Sequence, residues 1–120
     1  MRTHRLFVLA TVLALGALLV APAWAHNRVR STSPKKNGTA STSIRTVTVT
    51  FDKPIRRGTL QVTGPGNRRV SGSGGRDPRR INRLLTELNR GLRSGRYRAR
   101  YTIVAADGHR QSGSFRFRLR

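Results

Sequence analysis

The stretch GRYRARYTIVAADGHRQSGSFRFRL, residues 95–119, decides the fold. Residues 96–103 alternate strictly, with Tyr97, Ala99, Tyr101 and Ile103 on one side and Arg96, Arg98, Arg100 and Thr102 on the other. Residues 114–120 alternate again, setting Phe115, Phe117 and Leu119 against Arg116, Arg118 and Arg120. A period of two marks a half-buried strand, because successive side chains of extended backbone point to opposite faces. The two segments therefore predict long strands joined through residues 104–113 and paired antiparallel. Pairing would gather six arginines on one sheet face, where like charges repel. Anions, salt or intervening threonines would relieve that cost.

Upstream, IRTVTVTF at residues 44–51 sets Val47, Val49 and Phe51 against Thr46, Thr48 and Thr50, a third strand, ended by Pro54. Gly58 opens a short strand, TLQV at 59–62; GPGN at 64–67 is a turn, and residues 68–70 can return as a brief hairpin partner. Residues 30–43 and 71–80 are polar and rich in Gly, Pro and Ser, and are read as loops. Residues 81–92, INRLLTELNRGL, place Ile81, Leu84, Leu85 and Leu88 at helical spacing, between Asp77-Pro78 as a start and Gly91 as a stop. They predict one to three turns of helix, or an irregular segment pinned by its leucines. The whole is an all-β chain: a small antiparallel Greek-key β-sandwich or barrel.

The N-terminus reads differently. MRTHR is short and basic, residues 6–20 form an uncharged apolar run, and APAWA then places small residues at Ala23 and Ala25. This is the pattern of a cleavable signal peptide over residues 1–25. A membrane anchor is the alternative, but the apolar run is shorter than the roughly 18 to 20 residues that span a bilayer. Cleavage after Ala25, preferred to cleavage after Ala23, leaves a single domain of residues 26–120 that begins at His26 and acts in the periplasm or outside the cell.

The exported domain has no cysteine and, once Met1 is gone, no methionine. A metal would have to be held by nitrogen and oxygen, which suit Cu(II), Ni(II) or Zn(II) rather than Cu(I). Arg2 and Arg5 leave with the signal, so 23 basic residues face four acids, a formal charge of +19 against +21 for the whole chain. Such a field attracts any polyanion without choosing among them. Export argues against intracellular nucleic acid, and the tyrosines lie on the inward face, so no specific nucleic-acid platform is expected. Anionic envelope polymers or lipids are the partners an Arg-rich face would suit.

Two histidines remain in the exported domain, His26 and His109. An N-terminal histidine offers its α-amine and ring Nδ1 as a chelating pair, both able to lose their protons near neutrality. Asp107 and His109 flank Gly108, a spacing that presents a carboxylate and an imidazole together. Asp-Gly is also a common hairpin turn, and a histidine beside it can be plain polar surface. Taken together, His26, Asp107 and His109 supply an amine, two imidazoles and a carboxylate. That set fits tetragonal Cu(II) best, with Ni(II) and Zn(II) possible. No Ser-His-Asp arrangement, phosphate-binding loop or paired acids appear, so an enzyme is not expected.

The pattern resembles the CopC family of periplasmic copper-resistance proteins. The matching features are the mature start at His26, Ser33-Pro34, Gly38, VTVTFDKPI at 47–55 and the stretch 95–119, with Asp107-Gly108-His109 at its centre. The resemblance implies a cupredoxin-like, immunoglobulin-like β-sandwich with a Cu(II) site formed by His26, Asp107 and His109. It also implies a part in copper homeostasis outside the cytoplasm, often beside a membrane copper transporter. Some members carry a methionine-rich Cu(I) site, which this chain lacks. Arg110 stands where the family more often has proline, and its charge would weaken cation binding. The alternatives are a copper oxygenase built on the N-terminal histidine, and a metal-independent structural protein that binds polyanions through its arginines.

Overall fold

A computed structural model describes residues 26–120; the predicted signal peptide lies outside the described residues. Eight strands follow in order: β1 (Val29–Ser33), β2 (Thr39–Ala40), β3 (Thr46–Phe51), β4 (Ile55–Thr63), β5 (Gly75–Arg76), β6 (Arg83–Glu87), β7 (Gly95–Ala105) and β8 (Arg110–Leu119). They form two four-stranded sheets, ordered β1-β3-β6-β5 and β2-β8-β7-β4. Consecutive strands β3 and β4, and likewise β6 and β7, lie in different sheets, as in Greek-key sandwiches. Every pairing is antiparallel except β2 with β8, so the second sheet is mixed.

The strand pair read first from sequence is the spine of the second sheet. Tyr97 faces Phe117, Ala99 faces Phe115 and Tyr101 faces Gly113 across β7 and β8. Tyr97 and Phe117 stack with centroids 5.7 Å apart, and Phe51 of the opposite sheet meets Tyr101 edge-on at 5.5 Å. Val47, Val49, Leu60, Val62, Leu84, Ala99, Ile103 and Leu119 are sealed from solvent between the sheets. Each buried branched or aromatic side chain contributes about 1.5–3 kcal/mol, and this interlayer is what a domain without disulfides depends on. On the outer face Arg96 stands opposite Arg118 and Arg98 opposite Arg116. The predicted sixth member, Arg120, follows the last residue of β8.

Residues 81–92 correct the helical expectation. Residues 83–87 are strand β6, hydrogen-bonded along β3 from Thr46–Glu87 to Thr50–Arg83. The inward set is Leu84, Thr86 and Leu88, all buried, while Ile81 is 58% exposed. Thr86 hid the period of two: it is a polar residue in the core, and its hydroxyl donates to the Gly72 carbonyl at 3.1 Å. Asp77 starts no helix. Its carboxylate accepts from the Arg79 N–H at 2.9 Å and from Arg83 Nε at 2.8 Å, closing a tight turn into β6.

Two loops also hold strands. Residues 30–43 contain most of β1 together with β2; β1 is an edge strand with mostly exposed side chains, so no apolar alternation marks it. Residues 71–80 contain β5, two residues paired with β6. Gly58 lies inside β4 rather than opening it. A Cβ there would come within 2.7 Å of the Thr102 carbonyl oxygen and 2.8 Å of Leu84 Cδ2, so the strand passes only without a side chain. Residues 68–70 do return beside β4, Arg69 bridging to Thr63 and the Val70 N–H donating to the Val62 carbonyl at 2.9 Å.

Candidate metal centre

β7 and β8 are joined by a tight turn that carries two of the three predicted ligands. The Ala105 N–H donates to the His109 carbonyl at 2.8 Å and the Gly108 N–H to the Ala105 carbonyl at 2.9 Å. Gly108 has φ +88°, a value glycine adopts without the steric cost of a Cβ. This bend folds Asp107 back onto His109. One carboxylate oxygen accepts the His109 backbone N–H at 2.9 Å, and the other lies 2.7 Å from His109 Nδ1.

The consequences are electrostatic. The hydrogen bond with the His109 side chain, followed by that from its backbone, holds the Asp107 carboxyl below the ordinary carboxylate range. Asp107 is therefore an anion at neutral pH. When Nδ1 carries the imidazole proton, its bond to Asp107 leaves Nε2 with the lone pair that a metal needs. Both side chains are about half exposed, so the pair is accessible from solvent.

His26 arrives from the far end of the chain, and the residue that brings it is Asn27, only 3% exposed. The Asn27 backbone N–H donates to Gln111 Oε1 at 2.9 Å, and Gln111 Nε2 donates back to the Asn27 carbonyl at 3.3 Å. The Asn27 side chain repeats the pattern with the β3–β4 connection: Nδ2 donates to the Lys53 carbonyl at 2.8 Å, and the Lys53 N–H donates to Oδ1 at 2.8 Å. Asn27 thus ties the segment before β1 to β8 and to the β3–β4 connection, and Gln111 is two residues beyond His109. Exposed His26 immediately precedes Asn27, whose partner Gln111 lies in β8 just after the Asp107–His109 turn.

Among the described residues no group of three or more His, Cys, Asp or Glu is close enough to hold a metal ion. Asp107 and His109 are brought together and His26 is not joined to them. In the uncleaved chain His26 carries a peptide nitrogen, and the chelating amine exists only after cleavage before it. Asn27 and Gln111 escaped the sequence reading, since their contact spans 84 positions and neither residue type signals it.

Residues 29–120 match the CopC domain family. The chain belongs to it. The matched span includes Asp107 and His109 and begins just after the Asn27 tether. Protein YobA of Escherichia coli K12 is 23% identical over 121 residues, covering 98% of both chains. Among solved structures, CopC from Methylosinus trichosporium OB3b superimposes with a TM-score of 0.70 at 17% identity, over 78% of this chain and 93% of that one. PcoC, a methionine-rich copper resistance protein from Escherichia coli, gives 0.66 at 17%, over 80% of this chain and all of its own. These likenesses establish the cupredoxin-like sandwich. Membership rests on the family match over residues 29–120, and the solved structures supply the fold.

Proposed function

We propose that this CopC domain is exported by cleavage after Ala25 and binds one Cu(II) through the His26 amine and ring nitrogen, Asp107 and His109, buffering or carrying copper. The observation that supports the reading is the Asn27 tether, which bonds the residue after His26 to Gln111, two positions beyond His109, while Asp107 and His109 are already paired. The donor chemistry agrees. Amine and imidazole nitrogens with one carboxylate suit tetragonal Cu(II), and with no sulfur in residues 26–120 the site has nothing to favour Cu(I).

Cu(II) here is cargo rather than a resident cofactor. His26, Asp107 and His109 bind it, Asp107 also neutralising part of its charge, and Gln111 with Asn27 holds the segment after His26 against β8. Release follows from acid or from a stronger acceptor, because amine and imidazole take protons in competition with the metal. A membrane copper transporter is the partner such a carrier would serve.

Copper titration of the secreted protein, followed by electron paramagnetic resonance, tests this reading. A tetragonal, nitrogen-rich 1:1 signal is expected, and one extra residue before His26 should weaken binding sharply. Unchanged affinity in the extended protein would refute it.

A further inference from the structure

The outer face of the second sheet is a site in its own right, independent of the copper reading. Arg96, Arg98 and Arg100 of β7 and Arg116 and Arg118 of β8 stand on it, and two pairs, Arg96–Arg118 and Arg98–Arg116, are directly opposed. None of the four acids answers them. Asp52 pairs with Arg30 of β1 and Asp77 with Arg83 of β6, two strands of the first sheet, where Glu87 also lies; Asp107 is in the β7–β8 turn, bonded to His109. Arg98 Nε is buried without a hydrogen-bond partner, so the cluster is held at a cost. An external anion would relieve it.

The geometry points to the surface of a bilayer carrying anionic phospholipids as the partner of this face. The five arginines form a two-dimensional array across two strands and three cross-strand rows, not a line along a groove. The neighbouring outward positions are Thr59, Gln61, Thr102, Ser112 and Ser114, short polar groups past which arginine reaches. Two shallow depressions open on the face. One, of about 240 Å³, is ringed by Arg96, Arg116 and Arg118; the other, of about 470 Å³, combines Arg100 with the threonine and serine hydroxyls. Each offers a headgroup phosphate the forked donors that arginine presents to such oxygens. The exposed large apolar side chains, Val29 and Ile81, belong to the first sheet and the loop leading into it, so this face attaches without inserting.

Vesicle co-sedimentation at physiological salt tests the assignment, with phosphatidylcholine alone, phosphatidylcholine containing phosphatidylglycerol, and soluble polyphosphate as a competing probe. The secreted protein should sediment only with the anionic vesicles. Each surface arginine is worth about five-fold in partitioning, so R96Q/R118Q should lose roughly 25-fold. Its melting temperature should hold or rise, because an opposed like-charge pair has gone. The control R79Q/R80Q removes the same charge from the turn before β6 and should lose less than about five-fold. An equal loss in the control would reduce the effect to net charge and overturn the assignment. Capture of polyphosphate without any vesicle binding would also overturn it, in favour of a linear polymer.

Discussion

Replacing Asn27 by alanine separates the tether from the ligands it is held to position. The substitution removes two side-chain hydrogen bonds to the Lys53 backbone, at 2.8 Å each, and leaves the backbone pairing with Gln111 in place. Lys53 is exposed, so water can replace the lost partner and the cost is the net value of the bonds, about 1–2 kcal/mol in stability. For a domain of this size that lowers the melting temperature by roughly 4–15 °C. The larger effect falls on metal binding, since outer-shell partners that orient ligands are worth about 10–100-fold in affinity. Thermal denaturation by circular dichroism and competitive Cu(II) titration, both on the secreted protein, measure the two quantities. Leu84→Ala is the control: it empties a fully buried core position, should cost about 2–5 kcal/mol, and should leave Cu(II) affinity unchanged while the protein remains folded. A melting temperature that falls in Asn27→Ala with affinity equal to the parent would refute the positioning role.

Other outcomes follow from the same structure. Ile81→Ala should change stability by less than about 0.5 kcal/mol against the large loss for Leu84→Ala, because Ile81 is exposed and Leu84 sealed; a helix would have buried both. The Asp77 carboxyl is held below its ordinary range, first by the Arg79 backbone N–H and then by Arg83. A depressed folded-state value contributes stability that is complete above the unfolded value near 3.9 and lost as pH falls through the folded one. Melting temperature measured downward from neutral pH should therefore drop more steeply in the parent than in Asp77→Asn. Arg110→Gln should raise Cu(II) affinity by about two- to five-fold, since it removes a cation adjacent to His109, and titration at low and high salt should show the difference shrinking as screening grows.

How legible the chain was depended on how local each signal is. β3, β7 and β8 could be read directly because alternation of large apolar and charged residues needs nothing beyond the strand itself. β6 was masked because its inward set includes Thr86, which enters the core by bonding the Gly72 carbonyl, a partner 14 positions away. β1 and β2 were masked because edge strands owe their place to backbone pairing and their side chains stay in water. The Asp107–His109 contact was legible for the reason that hid neither residue: two positions apart across a glycine, they meet within one turn.

By itself the sequence determined the layered all-β class, the arginine face and the chemical identity of the candidate ligands, all properties of residue type and short-range spacing. Only the tertiary structure decided that Asn27 and Gln111 meet across 84 positions, and hence that the residue before Asn27 sits at the β7–β8 end. The physical reason is that a buried backbone amide must find a partner wherever the fold supplies one. Asn27 finds its partners in Gln111 and Lys53, and in doing so it sets where the segment leading into β1 lies.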